Sequence, residues 1–113
     1  MEHLLRSLRN GIERADAVLE DFQKRLAANP IYAFQWADSA MKASARKHWF
    51  SYYVGSIEGA SEENRTEANI RKFVTKEILQ RSASRSVSSS RCSNAVADFE
   101  LEALTEILDF IVE

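Results

Sequence analysis

The stretch that most constrains this chain is its N-terminal 26 residues. Met1, Leu5, Leu8, Ile12, Ala15, Leu19, Phe22 and Leu26 recur at alternating steps of four and three. That is the 3.5-residue period of a seam that lies along another helix for its whole length. Leu4 and Val18 sit beside the seam and widen the apolar strip. A helix patterned this way needs a partner, within its own chain or in a second copy. Asn29-Pro30 supplies one at close range, because proline bars continuation of a helix yet suits the first turn of the next. A connection this short predicts that the second helix folds back antiparallel on the first.

The rest of the chain is equally poor in helix breakers, with one Pro and three Gly in 113 residues. Its 45% hydrophobic content is enough for one core. The spacing predicts helices over about 2–28, 32–57, 62–81 and 95–112, with Ser61 and then Ser93 or Asn94 as caps. Residues 82–94 belong to a tract rich in Ser and Arg and read as a linker, because serine competes with the backbone for hydrogen bonds. The expected fold is therefore all-α: a single domain over 1–113, an antiparallel up-down helical bundle of about four helices, which a homodimer could complete.

The second helix carries two aromatic ends, Tyr32, Phe34 and Trp36, then Trp49, Phe50, Tyr52 and Tyr53. At 100° per residue the last four span more than one stripe, so some must face away from the core. The third helix is expected to turn Ile70, Phe73, Val74 and Ile78 to one side. The fourth is apolar over a wide arc, leaving an acidic strip of Asp98, Glu102, Glu106, Asp109 and Glu113. Charge is polarised along the chain. Residues 61–94 hold seven Lys/Arg against four Asp/Glu, whereas 95–113 hold six acids and no Lys or Arg. Such asymmetry can steer a charged partner.

Chemistry is sparse. Two histidines and the lone Cys92 form no nucleophile–base pattern, and no metal-ligand spacing or glycine-rich phosphate loop occurs. The chain is expected not to be an enzyme and to need no cofactor or metal. A hydrolase or metal protein would require Cys92 to meet a distant His in space. A single cysteine excludes an internal disulfide and suits a reducing compartment. With neither a signal peptide nor a membrane span apparent, a cytoplasmic location is expected.

What remains is a surface. Trp36, Lys42, Arg46, Lys47, Trp49, Tyr52, Tyr53, Arg71, Lys72 and Lys76 interleave cations with aromatic rings on the second and third helices, and Arg81, Arg85 and Arg91 could extend the basic face. Aromatics and arginine are the residues of protein interfaces and their hot spots. The expectation is a non-enzymatic protein-binding module, an adaptor or stoichiometric inhibitor. The alternative is a nucleic-acid binder that meets phosphates with Lys/Arg and stacks bases on rings.

Overall fold

The computed structural model describes residues 1–84 and 91–111, and within them all side chains but those of residues 32, 83–84 and 91–95. All regular structure there is helical. The elements are α1 Glu2–Ala28, the single turn α2 Pro30–Ala33, a 3-10 turn Phe34–Trp36, α3 Ala37–Gly59, α4 Glu67–Ser84 and α5 Arg91–Ile111. Helix packs on helix in the manner of a bundle, α1 most extensively on α3, α3 on α5, and α4 on α5.

Asn29 ends α1 in an extended conformation, with φ −156° and ψ 95°, while its N–H still reaches the Arg25 carbonyl at 2.9 Å. Pro30 opens the next turn, where its missing donor costs nothing. The helix expected over 32–57 then differs in detail. It tightens at Phe34–Trp36 and becomes a continuous α-helix from Ala37, and the Trp36 ring stands 4.4 Å from the Arg25 guanidinium carbon of α1.

The start of α4 is also later than the spacing predicts. Ser61 opens a turn instead, accepting from the N–H groups of Asn64 and Arg65. Arg65 donates to the Ile57 and Glu58 carbonyls at 2.9 Å each, occupying acceptors at the end of α3. Thr66 caps α4: its Oγ1 accepts the Asn69 N–H at 3.2 Å. At the other end, the expected linker 82–94 is partly helical, since α4 runs to Ser84 and α5 begins at Arg91. Residues 85–90, including Arg85, lie outside the described residues, as do the side chains of Arg91 and Cys92.

The core joins Leu4 and Leu8 of α1, Trp49, Phe50, Tyr53 and Ile57 of α3, Ile70 and Val74 of α4, and Ala103, Leu104, Ile107 and Ile111 of α5. Leu4, beside the seam, is fully buried, whereas Leu19 and Phe22 are half-buried and Leu26 is exposed. A straight helix drifts about 20° per heptad relative to a 3.5-residue stripe. Leu4 and Leu8 also join a core to which both α3 and α5 contribute, so burial is deepest there and fades toward Leu26. Gly11 on α1 marks a close approach: a Cβ at this position would overlap the Phe50 ring. Phe50 in turn meets Phe110 edge-on, with ring centroids 5.7 Å apart.

Charged pairs tie the helices together at the rim. Arg9 pairs with Glu58, and Lys47 with Asp16 at 2.7 Å, between α1 and α3. Between α3 and α5, Arg46 grips Glu106 with Nε at 3.0–3.1 Å from both oxygens and Nη2 at 2.6 Å from one. Among the described residues no helix is long and apolar enough to cross a membrane.

Candidate functional site

The ten residues expected to share one surface are distributed over several environments. Trp49 and Tyr53 belong to the core, 4% and 3% exposed, so neither stands out as a surface ring. Their register explains it. Trp49, Phe50, Tyr53 and Ile57 fall within about 100° of arc on α3, and Tyr52 lies about 60° outside that arc; within it Phe50 meets Gly11 of α1 and Phe110 of α5. The Trp49 indole N–H donates to Glu100 at 3.1 Å, and the Arg81 guanidinium carbon lies 5.0 Å from its ring centroid. Arg81 itself reaches Glu77 at 3.0 Å and Glu100 at 3.6 Å.

The cations of α3 are engaged within the fold. Arg46 and Lys47 are held by Glu106 and Asp16, and Lys42 lies 5.8 Å from the Phe99 ring centroid. Trp36 sits at the elbow between α1 and α3, next to exposed Ile31 and Phe34. On α4, Lys72 and Lys76 lie one turn apart on the same face, whereas Arg71 points about 160° away from Phe73 around the helix.

One groove brings together part of the expected set. It lies between the C-terminal half of α3 and α4, a cavity of about 370 Å³ lined by Tyr52, Tyr53, Ile70, Phe73, Lys76 and Glu77 with Ser56, Asn64 and Gln80 at its polar margin. Ile70 and Tyr53 are its buried apolar residues, while Tyr52 and Phe73 are 56% and 55% exposed. The Tyr52 and Tyr53 rings meet edge-on with centroids 5.1 Å apart. Burial pushes the Tyr53 hydroxyl well above the usual tyrosine range, helped by the Glu77 carboxylate and by Tyr52, so it stays protonated at any physiological pH. Lys76, at the groove, and Lys72 beside it have no carboxylate partner among the described residues.

No protein-family model, curated protein or solved structure matches this chain.

Phe73 is the functional candidate that the spacing misplaces. It is expected on the core side with Ile70, Val74 and Ile78, yet the ladder that is inward is the strict one, Ile70, Val74 and Ile78, at steps of four. Phe73 stands one residue off that ladder, which is the signal that separates it. The groove can hold an apolar or aromatic side chain between two rings and offer ammonium groups to a nearby carboxylate. Among the described residues no three His, Cys, Asp or Glu side chains are grouped to hold a metal.

Proposed function

We propose that this chain is a non-enzymatic protein-binding module, an adaptor or stoichiometric inhibitor, whose α3–α4 groove takes an apolar anchor flanked by acidic residues. The observation that carries this is the pair of rings, Tyr52 and Phe73, each more than half exposed on either side of a groove with a buried apolar floor. Exposed aromatics that a fold of this size does not use for its own core favour contact with another chain. Lys72 and Lys76 supply the charge preference. The same cations beside the same rings favour nucleic acid as the second reading. Against it weigh Glu77 in the groove and the internal pairing of Arg46 and Lys47.

The bundle is proposed to be antiparallel, up-down, because partner numbers fall along α3 as they rise along α1: Arg9 with Glu58, then Asp16 with Lys47. A homodimer would use the exposed elbow of Leu26, Ile31, Phe34 and Trp36, and a cytoplasmic site of action suits the single cysteine.

The test is affinity capture with nuclease treatment, comparing the parent chain with Tyr52→Ala/Phe73→Ala. The expected result is a discrete protein retained by the parent and lost from the double variant, with helical circular dichroism unchanged. A capture indifferent to the double substitution contradicts the groove. Loss of all captured material on nuclease treatment, with affinity falling steeply in salt, establishes the nucleic-acid reading instead.

A further inference from the structure

The seam of α1 outlasts the core that uses it. Of this helix only Met1, Leu4, Leu5, Leu8 and Ile12 join the four-helix cluster, yet the apolar period continues through Leu19, Phe22 and Leu26. What faces this second half is small. Ala40 and Ala43 lie within about 40° of Lys47 around α3, and Lys47 reaches Asp16 of α1. Their short side chains cover the seam on one side only, leaving Phe22 half-buried and Val18 and Leu26 exposed. Just beyond, at the elbow, Ile31 and Phe34 are 79% and 78% exposed. A stripe with a 3.5-residue period is suited to another helix.

We propose that a second copy of this chain covers this face, the C-terminal halves of the two α1 helices lying antiparallel about a two-fold axis near Phe22. Charge decides both the partner and its direction. Val18, Asp21 and Arg25 fall within about 60° of arc on α1, on the side turned away from Asp16 and α3. Asp21 and Arg25 pair with each other at 2.7 Å, but each is about half exposed and open to a further partner. An acid one turn ahead of a base is self-complementary under a two-fold axis that reverses direction: Asp21 of one copy comes level with Arg25 of the other, and the contact occurs twice. In a parallel pairing each residue is level with its own counterpart, acid with acid and base with base. Exposed ion pairs add little affinity. Burial of the apolar face drives the association, and the charges fix its direction. This register rests on the homodimer reading above and is independent of the α3–α4 groove.

The test is sedimentation equilibrium of the full chain from micromolar to millimolar concentration. A reversible monomer–dimer equilibrium is expected. Val18→Glu should weaken it at least tenfold with helical circular dichroism unchanged, since this side chain reaches solvent. Asp21→Arg and Arg25→Asp should each weaken it at least tenfold, because like charges then meet across the axis. The two charge variants mixed should associate at least tenfold more tightly than either alone, because opposite charges face each other again at both contacts. A chain that stays monomeric throughout overturns the homodimer reading itself. A dimer indifferent to Val18→Glu overturns this face, and a mixture no tighter than its components overturns this register, each leaving a homodimer of another geometry.

Discussion

Two glycines show how context decides the same substitution. Gly11 and Gly55 both lie inside long helices, where alanine is intrinsically favoured by up to about 1 kcal/mol. At Gly55 nothing lies within 4 Å of an added Cβ, so Gly55→Ala should realise most of that gain. At Gly11 the Phe50 ring occupies the space, and overpacking costs about 1–3 kcal/mol. Gly11→Ala should therefore lower the urea midpoint while Gly55→Ala raises it; a rise for both would refute the close approach of α1 and α3. Tyr53 makes a pH-dependent prediction. Its folded-state proton affinity is raised by burial, then by Glu77 and Tyr52, whereas the unfolded value is near 10. Below that value both states keep the proton and the contribution is complete. Above it the unfolded chain ionises first, so stability falls as pH rises toward the folded value. Urea midpoints measured between about pH 9 and pH 11 should decline less for Tyr53→Phe than for the parent, and equal slopes would contradict the burial of this hydroxyl.

At the scale of elements, the α3–α4 turn owes its form to Arg65 and Thr66. Thr66→Ala should cost about 1 kcal/mol through loss of the α4 cap, and Ser61→Ala less, because Ser61 Oγ receives only the exposed Asn64 amide. Comparable losses, measured by thermal unfolding, would move the cap back to Ser61. This boundary also shows what sequence can carry. The extent of α1 follows from its own period and the Asn29-Pro30 stop, and the structure places it at Glu2–Ala28. The start of α4 is less legible, because Ser61-Glu62-Glu63 is a sound local cap and only the reach of Arg65 to the α3 carbonyls makes it a turn. The same limit applies to the candidate site. Periodicity says that Trp49, Phe50, Tyr52 and Tyr53 cannot share one stripe, but which of them is left outside depends on where α1 and α5 pack on α3. Lys47 and Arg46 look free in sequence, since their partners Asp16 and Glu106 lie 31 and 60 positions away.

For the molecule as a whole, cohesion resides in the four-helix core, and the interhelical ion pairs add little. Arg9, Glu58, Lys47 and Asp16 are each half or more exposed, and surface pairs of this kind contribute about 0–1 kcal/mol and are screened by salt. Raising the salt concentration should shift overall stability by less than about 1 kcal/mol, whereas Trp49→Ala, which empties a core site, should cost about 3–5 kcal/mol. The reverse order would place the stability in the charged rim. What the core leaves outside is then available for binding, chiefly Tyr52 and Phe73 with Lys72 and Lys76. The most direct measurement places a benzoylphenylalanine photocrosslinker at position 73, or at exposed position 17 on α1 as a control, and irradiates the full chain in an extract of the cells that produce it. A discrete, nuclease-resistant protein adduct from position 73 and none from position 17 is the predicted result; no protein adduct at position 73, or the same adduct from both positions, would contradict a protein partner in the α3–α4 groove.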